Sequence, residues 1–206
     1  MPMLAHAQGG RSDDPDKPRH GSSVLPAGWH ALLDTGGATI DGVNLMEMGG
    51  GFHFMTGPAG IYYKPEDAAT GTYEAHATFI LLEPSEHPEA FGLFIGGSSL
   101  DGPHQRYTYF LVRQDGMFLI KRRAGTETPV VVNWTPNPAV RQGRTSNVLS
   151  IEAGKDTVRF LVNGTEVSSL PRSQVDADGI VGQRINHNLN VMFDTFGIRK
   201  STGAHP

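Results

Sequence analysis

The stretch Arg106 to Arg113 alternates, and its two faces differ in chemistry. In an extended chain Tyr107, Tyr109, Leu111 and Arg113 fall on one side, while Thr108, Phe110 and Val112 fall on the other. The second set is apolar enough for a core. The first joins two phenol rings to a guanidinium, which is the chemistry of sugar recognition. Aromatic faces take the apolar C–H patches of a sugar ring, and planar polar groups take its hydroxyls. Four further residues extend this candidate ligand site: Glu74 and His76 on a long strand, Arg122 on the hairpin partner, and Trp134 ahead of a proline-rich loop. A plainer arrangement uses the same residues, with Tyr107 and Tyr109 capping the core and Trp134 packed under its loop. The two differ in whether the face is open or covered.

Other chemistries find less support. Glycoside hydrolysis needs two carboxyl groups about 5 to 10 Å apart across the scissile bond. Glu83, Glu86 and Glu89 crowd a segment whose prolines mark a loop, and Asp176-Ala177-Asp178-Gly179 reads as a turn. Asp176 and Asp178 also have the two-apart spacing of calcium-loop oxygens, but the distal glutamate of such a loop is missing. The nine histidines form no H-x-H or H-E-x-x-H pair, so nothing local points to zinc. With no cysteine there is no disulfide, thiolate ligand or thiol nucleophile. No serine sits in a G-x-S-x-G elbow, and no glycine-rich loop opens a helix for a nucleotide. The expectation is a non-catalytic protein with no cofactor and no bound metal.

The elements that must position these residues are short. Strands are predicted at Trp29–Leu33, Asn44–Met48, Phe52–Thr56, Ile61–Tyr63, Thr72–Leu82, Phe91–Ile95, Arg106–Arg113, Met117–Arg123 and Val130–Trp134. Further strands follow at Asn147–Ala153, Thr157–Val162, Thr165–Leu170, Ile180–Gly182 and Asn190–Ile198. Hairpins are marked by Gln114-Asp115-Gly116, Gly154-Lys155-Asp156 and Asn163-Gly164, residues that tolerate the positive φ of primed turns. Gly49-Gly50-Gly51 and Gly96-Gly97 read as bends or sheet corners. Pro65–Ala69 is the nearest approach to a helix, a single turn at most. The 206 residues suit one domain, and many short strands with regular turn signals predict a two-sheet all-β sandwich. The net charge of −4 leaves no basic excess for nucleic acid, and no apolar run reaches the roughly 18 residues of a membrane-spanning helix.

The ends differ from the body. Ala5 and Ala7 resemble the small-residue site read by a signal peptidase, and Gln8 to Ser23 holds almost nothing that could enter a core. Residues 1–27 are expected to be a signal remnant and flexible polar arm, 28–199 the sandwich, and 200–206 a polar tail. This predicts a periplasmic or secreted protein. An arm of this kind is also a way to anchor a subunit in a larger envelope assembly.

A series in the second half resembles a known superfamily. It comprises Asn147-Val148-Leu149-Ser150-Ile151, Phe160-Leu161-Val162-Asn163-Gly164, Gly179-Ile180-Val181-Gly182 and Phe193-Asp194-Thr195-Phe196-Gly197-Ile198. Gly28-Trp29, Leu33-Asp34, Gly92-Leu93-Phe94 and Tyr107-Thr108-Tyr109-Phe110 fit the opening and middle strands. The pattern is similar to the concanavalin A-like lectin/glucanase superfamily, nearest to its laminin-G-like and 3-keto-disaccharide-hydrolase-like domains. The resemblance implies an antiparallel jelly roll whose series marks consecutive strands, with the last strand returning beside the first. The acid string E-x-D-x-x-E of its catalytic branch is absent. Three functions are therefore expected in order: a recognition module for a glycan or a protein surface, an accessory subunit of an envelope complex, and a hydrolase acting on modified sugars.

Overall fold

The computed structural model describes residues 24–200, so the expectations for the arm up to Ser23, its anchoring role and the tail from Ser201 lie outside the described residues, whereas Leu25, expected in the arm, packs against the core and Lys200 ends a strand. Two seven-stranded antiparallel sheets form a sandwich. Across the first sheet run β1 (His30–Leu33), β4 (Gly60–Ala69), β13 (Gly179–Ile185), β6 (Ala90–Ser98), β7 (Arg106–Arg113), β8 (Met117–Ala124) and β9 (Val130–Pro136). Across the second run β12 (Thr165–Pro171), β11 (Thr157–Val162), β10 (Ser146–Ala153), β5 (Tyr73–Glu83), β14 (Asn190–Lys200), β3 (Gly51–Thr56) and β2 (Val43–Met48). The last strand does not return beside the first. β14 lies between β5 and β3, while β1 is an edge of the other sheet paired to β4.

Alternation decides which side chains enter the core. On β5 Tyr73, Ala75, Ala77, Phe79 and Leu81 are buried, while Glu74, His76, Thr78 and Ile80 point outward and are only partly covered. Phe54, Phe79, Phe91, Phe110, Phe160 and Phe193 fill the space between the sheets, each worth roughly 2–3 kcal/mol of transfer out of water. The hairpins fall where the turn residues place them. At Asn163-Gly164 both φ angles are positive, and the Asn163 side chain accepts from the Val148 N–H at 2.9 Å and donates to the Ala139 carbonyl at 2.8 Å. Gly96 has φ +69°, and a side chain there would meet the Asp176 carbonyl at 2.1 Å, so glycine lets that segment cross the end of β6.

Two irregularities interrupt the ladders. The helical turn expected at Pro65–Ala69 is instead part of β4. Tyr63 faces Gly182 and Ala68 faces Ile180, so Lys64 to Asp67 lie opposite Val181 alone and bulge from the ladder. Pro65 has no N–H to give a sheet, and Ala68 and Ala69 are claimed by β13, which leaves too few residues to close a helical turn. In β14, Asp194 faces Thr78 and Gly197 faces His76, so Thr195 and Phe196 lie opposite Ala77 alone.

One polar pair inside the core is conspicuous. Gln183 and Tyr62 face each other across β13 and β4, and the Gln183 amide and the Tyr62 hydroxyl are buried without hydrogen-bond partners. A desolvated, unpaired amide costs about 1–3 kcal/mol. Gln183→Met keeps the chain length and removes those atoms, so urea unfolding should show a gain of about 1 kcal/mol. A loss of stability would mean that the amide is hydrogen-bonded through buried water.

Candidate functional site

Tyr107, Tyr109, Leu111 and Arg113 do share the outer face of the first sheet, while Thr108, Phe110 and Val112 face the second sheet. The outer face carries a second apolar cluster. Ile61 and Tyr63 of β4, Phe94 of β6, Tyr107, Tyr109 and Leu111 of β7 and Leu119 of β8 pack together, and Leu100 of the β6–β7 loop joins them. The rings interlock, with Phe94 to Tyr107 centroids 5.3 Å apart and Tyr107 to Tyr109 centroids 5.7 Å apart. Tyr107 is 2% exposed and Tyr109 7%. They are a closed floor and not open stacking platforms.

A charged pair is set into this floor. Arg184 of β13, 7% exposed, donates from Nη1 to Asp34 Oδ1 at 2.6 Å and from Nη2 to Oδ2, a bidentate fork. Its guanidinium carbon lies 5.6 Å from the Tyr109 ring centroid. Burial pulls this guanidinium down, but the hydrogen bonds and charge of Asp34 outweigh burial and leave it above its ordinary value. The Nε of Arg184 is buried without a partner, as is the Nε of Arg123. Arg123 stands directly across from Tyr107, and Lys121 across from Tyr109. Neither Lys121 nor Arg123 forms an ion pair among the described residues. At the margin Arg113 lies 4.3 Å from the Trp134 ring centroid and donates to Asp115 Oδ1 at 2.7 Å. That stack is worth about 0.5–1 kcal/mol at a partly exposed position.

The remaining expected residues lie elsewhere. Glu74 and His76 belong to β5, on the outer face of the opposite sheet, so the sandwich separates them from the tyrosines. Glu74 sits 3.5 Å from Arg199, and burial lowers the His76 imidazole, helped by the Arg199 charge. Arg122 stands across from Thr108 on the inner face and is held by Asp176 at 2.9 Å. Asp176 also meets Arg106 at 3.3 Å, and Asp178 meets Arg172 at 2.7 Å and the Gly71 N–H at 2.8 Å. Both acids of the expected turn are thus bound to protein groups, and no metal-holding group of three side chains occurs among the described residues.

Sequence reasoning missed Arg184, Asp34, Lys121 and Arg123. A signal for Arg184 existed. It stands beside Gln183 between the apolar Val181 and Ile185, and a charge that a strand buries needs a partner.

The tyrosines supply a check on the closed floor. Burial raises all five, with Tyr107 pushed up to about 12. A phenol that ionises later in the folded chain adds stability that is complete below pH 10 and lost as the pH climbs toward the folded value. Absorbance at 295 nm should therefore show little phenolate at pH 10, where a free tyrosine is half ionised, followed by cooperative ionisation with unfolding. Half-ionisation of the tyrosines at pH 10 in folded protein would show the face to be open.

No family model matches the chain, and no curated protein matches it by sequence. Solved structures do match it in shape. A carbohydrate-binding module, CBM66, from Bacillus subtilis superposes with a TM-score of 0.59 at 10% identity, over 84% of this chain and 96% of that one. A Bacillus subtilis protein of unknown function with a galectin-like fold gives 0.60 at 10% identity, over 84% and 89%. An alginate lyase gives 0.52 at 11% identity, over 75% and 82%. Likeness in shape at this level of identity concerns the fold alone, and that fold is the two-sheet, jelly-roll-type β-sandwich.

Proposed function

We propose that the protein is an exported, non-catalytic glycan-binding module whose ligand carries acidic groups. The observation that carries this reading is the pair of unneutralised cations, Lys121 and Arg123, on the same outer face as the Arg113–Trp134 stack and over a closed aromatic floor. Buried tyrosines cannot stack on a sugar. They make the floor rigid, so the long side chains above it lose less freedom on binding. A half-buried Trp134 offers an apolar ring at the margin, and fixed cations offer donors to carboxylates. The fold shared with the carbohydrate-binding module and the alginate lyase agrees with a carbohydrate ligand.

Against catalysis, the Tyr107 hydroxyl is held protonated by burial, and Asp34 is locked on Arg184. One observation favours the hydrolase alternative. Glu89, at the end of β6 near His187, has a half-buried carboxyl held above its ordinary value chiefly by burial. That would suit a general acid, yet the second carboxyl of such a pair is already engaged if it is Asp34.

Titration calorimetry with an oligogalacturonate and a neutral oligomer of equal length decides between these. The acidic oligomer should bind more tightly and weaken with added salt. Replacing Lys121 and Arg123 together by Gln should cost about tenfold or more in affinity. Equal affinity for the neutral oligomer, or an unaffected double variant, overturns the reading. Shortened products after incubation, lost in Glu89→Gln, would establish the hydrolase.

A further inference from the structure

The two bulges described above face each other across the sandwich edge, and between them the sheets part. Lys64 and Asp67 come from the bulge in β4, and Asp194, Thr195 and Phe196 come from the bulge in β14. Trp29, Phe52, the Gly50-Gly51 turn and Phe193 complete the lining. The cleft has a volume of about 300 Å³, the lower end of the range for small-ligand sites and room for one sugar ring.

Three features mark this cleft as more than a packing fault. Trp29 is 8% exposed, yet its indole N–H is buried without a hydrogen-bond partner. Thr195 has φ +50°, a conformation that a β-branched residue adopts only under constraint. Its hydroxyl is 2.7 Å from that of Thr78, which pins the bulge in place. Bulges in two different sheets converge on the same opening, and bulges are a common way to aim side chains at a site.

The groups present define the ligand. Lys64 donates hydrogen bonds, while the Asp67 and Asp194 carboxyls accept them. Burial raises Asp67, and the neighbouring Lys64 charge opposes that shift. A ligand must therefore both accept and donate, and it must present apolar surface to the half-buried Phe52 and Phe196. An organic cation is disfavoured, because the place over the Trp29 ring is already taken by the Lys64 ammonium, 5.7 Å from the centroid. Two carboxyls against one ammonium also disfavour an acidic sugar. The geometry points to a second binding site, separate from the sheet face, that takes a single neutral sugar unit edge-on against the half-exposed Phe196, with its hydroxyls toward Lys64, Asp67 and Asp194 and Trp29 behind it.

The chain has two tryptophans, so Trp134→Phe leaves Trp29 as the sole indole reporter. Glucose, galactose and mannose, each titrated into that variant, should include at least one that gives a saturable change in Trp29 fluorescence, with half-saturation on the order of 10 mM. Glucuronate should bind less well. Asp194→Asn should raise the half-saturation about tenfold, as for loss of a hydrogen bond to a charged group, and Phe196→Ala should raise it too. Near-UV circular dichroism reports whether each variant is folded, and Asp67→Asn replaces any that is not. Absence of a saturable change with all three sugars, or equal saturation in the folded variants, overturns the site. Affinity for the acidic oligomer is read separately in Phe196→Ala with Trp134 intact and should match the unsubstituted chain. A response at Trp29 without binding of the acidic oligomer would remove only the sheet-face reading, and the converse would remove only this one.

Discussion

The ring of Phe193 holds the sandwich together at the point where it is most interrupted. It lies within ring-contact distance of Trp29, Phe52, Phe54, Phe79 and Phe196, which arrive from before β1, from β3, from β5 and from β14 itself. Such edge-to-face and offset contacts add about 0.5–1.5 kcal/mol each beyond simple burial. The constraint is directional. Phe193 must point inward for both sheets to close on it, so the next three residues have to accommodate whatever the ladder then requires. Asp194 faces out beside Thr78, and Thr195 with Phe196 are pushed into a bulge before Gly197 rejoins β5. Gly51 accepts this because a side chain there would collide with the Phe193 carbonyl at 2.6 Å. The cleft at the edge is thus a direct consequence of anchoring the core on one ring.

The first sheet is apolar on both faces, which is unusual for an antiparallel sheet with one side toward solvent. Its outer cluster stretches from Ile61 to Leu119 and is large enough to bury whole tyrosines. Once such a layer exists, a charge within it must be matched, and Arg184 and Asp34 supply the match from β13 and the end of β1. Removing one partner of a buried fork leaves an uncompensated charge, whereas the pair as a whole contributes little net stability. The fork therefore argues for specificity of structure. Lys121 and Arg123 differ, because they stand over the layer with their charge unspent.

The period-2 pattern was sufficient to place the strands and to sort the two faces of β7, because each side chain's face depends only on its neighbours in the chain. Sheet membership depends on distant pairings, and there the same pattern is silent. Glu74 and His76 looked close to Tyr107 in a linear reading. The chain, however, crosses from one sheet to the other between Glu83 and Ala90, and that crossing carries no mark in the alternation. Pro65-Glu66-Asp67-Ala68-Ala69 has the proline and acids of a helix start, but the partners offered by β13 outweigh five residues of local preference. The bulge at Thr195 is the least legible feature. Nothing in Phe193-Asp194-Thr195-Phe196-Gly197 announces a β-branched residue at positive φ, because the conformation is imposed by where Phe193 and Gly197 must lie.

Strand β4 serves both candidate sites, and its broken ladder explains why they need not interfere. Ile61 and Tyr63 belong to the outer layer, where His30 stacks on Tyr63 at 5.6 Å. One residue later Lys64 turns toward the edge cleft, and between Tyr63 and Ala68 the pairing to β13 lapses. A regular ladder would transmit a shift at Lys64 or Asp67 through its hydrogen bonds to Gly182 and the strands beyond. The lapse lets those four residues move without dragging the register of Tyr63 or of Arg184, which stays opposite Ile61. The outer face has cations in excess beside its aromatic floor, and the cleft has carboxyls in excess around its own. The cations stand on β8, four strands away from β4, and the segment of β4 beside the cleft carries no ladder bonds to β13 through which one surface could distort the other.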